Sequence, residues 1–364
     1  MIKNPDRILF RTGAGPQVGF GHLRRCLSLA DAFVHYGAQC RFVCHGSAEN
    51  IRIIERSGHA AIVLKAEPNS PEDLRETSAA VASFGAGAAV VDDYCVEYFG
   101  GLSKTGAAIV ALDDLATRSF AACDVVVSSG AHAGTLPYPR ASNTLFLLGP
   151  VYVPLRPEFW DVAPRQIAGD VRHVLVTLGG ADPVNVGPVL LSALDAIAAD
   201  FAITFVSGPF AHNQAQVKRL ATGAQHRVEV LDAPADLVKL MRAADLAICA
   251  AGQTIYELAA LGTPAIAIVV VENQVQHAAA FAEQNVIESF AWDPTRVAAV
   301  QTSILTLMGD VGRRRAMSAA GQRAVDGRGA LRVARTVLDK IAGCNRESRS
   351  FRRSSGQGFT KNTE

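Results

Sequence analysis

A surplus of charge of either sign is missing from this sequence. With 35 basic and 34 acidic residues the net charge is +1 at pH 7, and the electrostatic footprint that binds nucleic acid is absent. Also missing is any apolar run of the roughly 18 residues that a membrane-crossing helix needs. The stretch MIKNPDRILFRTG leads straight into a strand and does not read as a secretory signal. Cysteines number 7, odd and without framework spacing, which points to free thiols in a reducing, cytoplasmic setting. The Cys40-x-x-x-Cys44-His45 cluster lacks the second Cys/His pair of a structural zinc site. Neither a G-x-S-x-G elbow nor an H-E-x-x-H helix occurs, and no internal repeat marks a solenoid. Metal and cofactor are not called for.

What is present is alternation of strand and helix over 364 residues, too many for one ordinary core. Strands are expected at Arg7–Arg11, Gln39–Cys44, Ala60–Leu64, Ala88–Val91, Ala107–Leu112 and Asp124–Ser128, with helices between them. The pattern lapses in proline-rich sequence from Pro137 to Arg172, then restarts with strands at Val171–Leu178, Ala202–Ser207, Val228–Leu231, Ala243–Ala250 and Ala265–Val271. Helices close the chain at Val275–Gln284, Pro294–Leu307 and Gly312–Ala342. Short connections and near-continuous apolar strands are the sequence form of doubly wound parallel sheets. The expected division is an amino-terminal domain over 1–155, a carboxyl-terminal domain over 156–344, and a disordered polar tail over 345–364. Ligands in such sheets sit beyond the carboxyl ends of the strands.

The most informative stretch runs from Ile248 to Gln274, ICAAGQTIYELAALGTPAIAIVVVENQ. A strand ends at Ala251–Gly252, a helix follows from Gln253, and Gly262–Thr263–Pro264 stops it. A helix that begins directly after a strand and a glycine offers free backbone N–H groups and a positive dipole end, which suits a phosphate at Gly252, Gln253 and Thr254. Glu257, one turn in, could accept both hydroxyls of a ribose. Gly179–Gly180–Ala181–Asp182 and Ser207–Gly208–Pro209 are turns at neighbouring strand ends, and Asn273–Gln274 falls near the same opening.

In the first half, Gly13–Ala14–Gly15 and Gly19–Phe20–Gly21 both miss the G-x-G-x-x-G dinucleotide fingerprint, and no acid ends the second strand. His22 stands behind Gly21 at a helix start. A positive helix end disfavours imidazolium, so the residue suits a base, the alternative being a capping or core histidine. Asp92, Asp93, Asp113 and Asp114 end two strands. They could cap the following helices, bind sugar hydroxyls, or orient His22.

Taken in order, R-x(7)-G-F-G-H-x-x-R at Arg11–Arg25, V-D-D-Y at Val91–Tyr94, L-D-D at Leu112–Asp114, L-G-G-A-D-P-x-N at Leu178–Asn185 and A-A-G-x-T-x-x-E-L…G-T-P…N-Q at Ala250–Gln274 form a set. It resembles the PseG/SpsG family, UDP-sugar hydrolases of pseudaminic acid synthesis and their spore-coat polysaccharide relatives. More distantly it is similar to the MurG-like glycosyltransferases. The match spans Arg7 to Ala282. It implies an α/β GT-B fold, two Rossmann-like parallel-sheet domains facing a central cleft, with UDP held by the second. By position, His22 corresponds to the catalytic histidine and Glu257 to the acid on the uridine ribose. Gly252–Thr254 matches the diphosphate turn, and Asn273 with Gln274 the pair near nucleotide and sugar. Arg11, Gly19, Gly21, Asp93, Tyr94, Asp113, Asp114, Gly179, Gly180 and Asp182 complete the expected substrate contacts. The chain departs from the family at Gly13, where an acid is usual, at Gly15 and Pro16, and at Ser128–His132, where SSGAH replaces asparagines.

The resemblance implies hydrolysis of a UDP-linked amino-deoxy sugar of the 2,4-diacetamido-2,4,6-trideoxy type to free sugar and UDP, for nonulosonic acid or surface polysaccharide. The alternatives are a glycosyltransferase using a UDP-sugar donor and a non-catalytic nucleotide-sugar-binding relative. The expected partner is the UDP-sugar, with other enzymes of the sugar pathway beside it.

Overall fold

A computed structural model describes residues 4–13, 21–45, 48–94, 96–139, 143–234 and 236–354. The chain divides into two compact units. The first is Met1–Ser129, Leu136–Leu148 and Ala330–Glu364, and the second is Gly130–Thr135 and Gly149–Gly329.

Among the described residues the first unit holds a 7-stranded sheet: β1 (Asn4–Gly13), β2 (Gln39–His45), β3 (Ala60–Val63), β4 (Ala86–Asp92), β5 (Ala108–Leu112), β6 (Val125–Ser128) and β7 (Leu145–Leu148). Their order is β3-β2-β1-β4-β5-β6-β7 and every pairing is parallel. Strand order reverses between β1 and β4, where Thr12 lies opposite Asp92. All of β4 is buried, as expected of a central parallel strand covered on both faces. The second unit repeats the plan with β8 (His173–Thr177), β9 (Ala202–Ser207), β10 (Arg227–Asp232), β11 (Leu246–Ala250), β12 (Ala265–Val269) and β13 (Ile287–Ala291), in the order β10-β9-β8-β11-β12-β13. Here the reversal falls between β8 and β11, and Thr177 pairs with Cys249. Alternation along these strands sends Val174, Val176, Ile248, Ile266 and Ile268 into one core and Leu175, Ala247, Cys249, Ala265 and Ala267 into the other.

Local sequence explains the helix boundaries. The Pro71–Phe84 helix opens on Ser70, whose side chain accepts from Asp73 N, with Pro71 in its first turn and Gly85 closing it in the left-handed conformation. The Thr254–Leu261 helix ends at Gly262 (φ 66°), whose N–H reaches Ala259 O and Leu258 O.

Several expected elements differ. Strands β7 and β13 were not foreseen; both are short, partly exposed edge strands. The helix expected over Gly312–Ala342 is two helices, Val311–Ala324 and Gly329–Ser354, interrupted around Gly327 (φ 78°). The second of these groups with the first unit from Ala330 onward, not with the carboxyl-terminal domain. Its stripe of Ala330, Val333, Ala334, Val337 and Ile341 is buried, and Arg335 lies over the Tyr36 ring, 5.8 Å from its centroid. Helical backbone therefore continues to Ser354, inside the segment expected to be a disordered tail.

Candidate functional site

In the first unit the reversal between β1 and β4 gathers the chemistry. The Gly21–His35 helix starts beside it and carries His22 and Arg25 on one face, three residues apart. His22 Nδ1 lies 2.6 Å from Asp92 Oδ1, at the carboxyl end of β4. With a carboxylate as partner, Nδ1 holds the proton and the lone pair is left on Nε2. Arg25 reaches the same carboxylate twice, Nε to Oδ2 at 2.5 Å and Nη2 to Oδ1 at 2.6 Å. Its remaining arm, Nη1, donates to Asp114 Oδ2 at 2.6 Å. The Tyr94 hydroxyl donates to Asp114 as well, and the Tyr94 ring meets His22 edge to face at 4.6 Å between centroids. Of this group Tyr94 is the open one, 37% exposed, against 8% for His22.

The electrostatics follow from that packing. Burial would raise the Asp92 carboxyl, but the charge of Arg25, the adjacent His22 and the hydrogen bonds from both more than offset it and hold the group well below the usual carboxylate range. Asp114 is held low in the same way, burial being outweighed by Arg25 and the Tyr94 hydroxyl. Burial first, and then Asp114, push the Tyr94 phenol up.

Three expected substrate contacts in this unit are instead framework. Arg11 is wholly buried. It donates to Asp93 Oδ2 at 2.9 Å and to Asp73 Oδ2 at 3.1 Å, and its Nη2 lies 2.9 Å from His45 Nδ1. Both terminal nitrogens are committed to these partners and the side chain is wholly buried, which leaves no exposed arm for a sugar. Asp93 is its counterion. An ideal Cβ on Gly13 would lie 2.9 Å from Asp93 Oδ2, so that carboxylate occupies the space any larger residue at 13 would enter. Asp113 accepts from Leu115 N, Ala116 N and the Tyr138 hydroxyl and pairs with Arg118, which makes it a turn cap. Gly21 opens the helix, and Gly19 lies outside the described residues.

In the second unit the Gly179–Gly180 turn follows β8 and the Ala251–Gly252 turn follows β11, again at the reversal. The helix ladder begins with Ile255 N donating to Gly252 O at 3.2 Å, so the N–H groups of Gly252, Gln253 and Thr254 stand ahead of it. A Cβ on Gly252 would lie 3.7 Å from Gln274 Nε2, which joins two expected contacts; Gln274 Oε1 accepts from Val270 N at 3.0 Å. Asn273 is exposed beside it. The Glu257 carboxylate is 3.6 Å from Arg156 Nη2. Gly208 explains the fit of the two neighbouring turns, because a side chain there would strike Gly179 O at 2.2 Å. Phe210 N donates to Gly180 O at 2.9 Å. Asp182 is a helix cap, accepting from Val186 N and Gly187 N at 2.8 Å each and from Asn213.

Two further groups lie outside the expected site residues. Arg25 was part of a motif without a task, and only its distances reveal one. The SSGAH loop falls within the expected amino-terminal domain, yet Gly130–Thr135 groups with the second unit. Ala131 N donates to the Tyr256 hydroxyl at 3.0 Å, which lies 2.7 Å from His277 Nδ1, and the His132 ring packs on His277 at 4.5 Å. Cys40 and Cys44 are free, and burial pushes their thiols up to about 12 and about 11. Among the described residues no group of three His, Cys, Asp or Glu side chains is placed to hold a metal ion. No helix of those residues is long and apolar enough to cross a membrane.

Residues 173–328 match the glycosyltransferase family 28 C-terminal domain. The chain is 31% identical over 206 residues to the spore coat polysaccharide biosynthesis protein SpsG of Bacillus subtilis (strain 168). That match covers 54% of this chain and 59% of SpsG, so less than two thirds of the relative's own length. The crystal structure of MurG from Acinetobacter baumannii superposes with a TM-score of 0.69 at 14% identity, over 92% of this chain and 99% of that one. Anabaena HepE, solved in complex with UDP, gives a TM-score of 0.60 at 15% identity, over 94% and 100% of the two chains. The fold is that of the GT-B glycosyltransferases.

Proposed function

We propose that this chain, a GT-B protein of the SpsG/PseG kind with a glycosyltransferase family 28 C-terminal domain over residues 173–328, hydrolyses a UDP-linked amino-deoxy sugar to free sugar and UDP. The product would serve nonulosonic acid or surface polysaccharide synthesis. The observation that carries this reading is the His22–Asp92 pair at the strand reversal of the first unit, 2.6 Å apart. In the proposed reaction water attacks the anomeric carbon and His22 Nε2 takes its proton. Asp92 keeps the imidazole in one tautomer and steadies the imidazolium that forms. The bond from the anomeric carbon to the diphosphate oxygen breaks and UDP leaves; the N–H groups of Gly252, Gln253 and Thr254 in the second unit are the donors that would bind a diphosphate. Donors fixed where charge develops stabilise the transition state more than the ground state. Glu257 would hold the ribose and Tyr94 would border the sugar.

The second reading is transfer of the sugar to an acceptor hydroxyl, which the family 28 match favours. The same His22 would then deprotonate the acceptor in place of water. Incubation with a panel of UDP-amino-deoxy sugars and no acceptor separates the two, since efficient release of UDP is expected only of a hydrolase. General-base help is worth about 10²–10⁴ in rate, so His22→Phe should abolish turnover while UDP binding, read by calorimetry, survives. Near wild-type turnover in that variant would refute the mechanism.

A further inference from the structure

We infer that Arg25 is the positioning residue of this site, fixing both the orientation and the ionisation of Asp92 and through it the proton on His22. The inference rests on the proposed role of His22 as base. Its basis is a single guanidinium that spans two carboxylates at the ends of adjacent strands β4 and β5. Nε and Nη2 grip both oxygens of Asp92 at 2.5 and 2.6 Å, and Nη1 holds Asp114 at 2.6 Å. Asp92 cannot rotate without leaving one of these bonds. Oδ1 of Asp92 therefore stays aimed at His22 Nδ1, and the imidazole is restricted to the tautomer with its lone pair on Nε2. Nη2 also lies 3.2 Å from that same Nδ1. The shorter bond of Nη2, 2.6 Å, goes to Asp92 Oδ1, so the guanidinium donates to the carboxylate and leaves Nδ1 to do the same.

The charges facing Asp92 come from three elements. The Gly21–His35 helix supplies His22, Arg25 and Cys26, whose thiol is 3.5 Å from Asp92 Oδ2. Tyr94 follows β4 and Asp114 follows β5. Asp92 is fully buried, and among these groups Arg25 is the permanent cation. Asp114 in turn anchors the arm of Arg25 that does not touch Asp92, and Tyr94 donates to Asp114. This chain of contacts accounts for Arg25 standing three residues after His22, where a lysine would supply the charge without the fork.

The test needs no substrate. In protein labelled at the Asp carboxyl carbon, the Asp92 resonance, assigned by its loss in Asp92→Asn, is titrated in wild type and Arg25→Gln. Removing the guanidinium leaves burial opposed by His22 alone, so Asp92 should take up its proton at a higher pH in the variant. The ring ¹⁵N shifts of His22 should change from one tautomer to a mixture. With a UDP-sugar that the wild type turns over, kcat should fall by about tenfold or more, while UDP affinity by calorimetry holds within about twofold. Arg25→Lys should keep Asp92 titrating low and recover part of kcat. A folded Arg25→Gln protein with unchanged Asp92 titration and unchanged His22 tautomer would overturn the inference. So would a Lys variant no better than Gln in either spectrum. If wild type releases UDP from none of the sugars, the proposed function fails, and the two spectra still decide the role of Arg25.

Discussion

Gly13 ends β1 in the position where the resemblance leads one to expect an acid, and Asp93 packs directly against it. The nearest atom to its would-be Cβ is Asp93 Oδ2 at 2.9 Å, the oxygen that accepts from Arg11. A methyl group there displaces a carboxylate from a fully buried guanidinium. Breaking one side of a buried ion pair costs about 3–5 kcal/mol, and a sideways shift of Asp93 recovers part of that. Gly13→Ala should therefore lower the unfolding free energy by about 1–3 kcal/mol, read from urea denaturation. Gly13→Asp should lower it further, because two carboxylates then face each other. An alanine variant as stable as wild type would show that Arg11 does not depend on Asp93. His22 and the two glycine turns were legible as residues because chemistry of that type at helix starts is rare. A capping role for Asp113 was one of the open alternatives; that Arg11 is buried framework was not legible, since its burial depends on Asp73 and Asp93, far away in sequence.

Elements in the middle of each sheet were readable because both faces are covered, which forces runs such as AVV in β4 and LAICA in β11 to be apolar throughout. Position at an edge does not by itself hide a strand, because β3 and β10 are half-exposed edge strands and were legible, whereas β7 and β13 were not. The loop from Gly179 to Val186 shows how one element serves both fold and site. Asp182 and Asn185 adopt left-handed conformations (φ 46° and 56°), and Asn213 ties both side chains together. Asp182→Ala removes the cap of the Val186–Asp195 helix and should cost about 1–2 kcal/mol in thermal unfolding. It should weaken UDP binding only several-fold, through a looser Gly179–Gly180 turn. A loss of UDP affinity with no change in stability would instead make Asp182 a direct ligand contact.

At the scale of the molecule, the Gly329–Ser354 helix returns to the first unit. Its buried Val333 and Val337 supply apolar area to a unit that the rest of the chain had left at Leu148. Val337→Asp places an unpaired carboxylate on that stripe, and a destabilisation above about 3 kcal/mol is expected by calorimetric melting. A melting curve unchanged by the substitution would mean that the helix contributes no packing to the unit. By itself the sequence determined that there are two parallel-sheet units, and it put His22 and Glu257 in the first turns of helices. Those features depend on local periodicity and on spacing to the next turn. Only tertiary structure decided which aspartates orient a base and which cap or neutralise, which unit owns the SSGAH loop and the last helix, and what Arg25 is for. Each of these depends on which distant side chain fills the second half of a contact, and a linear pattern of residue types carries no record of that partner.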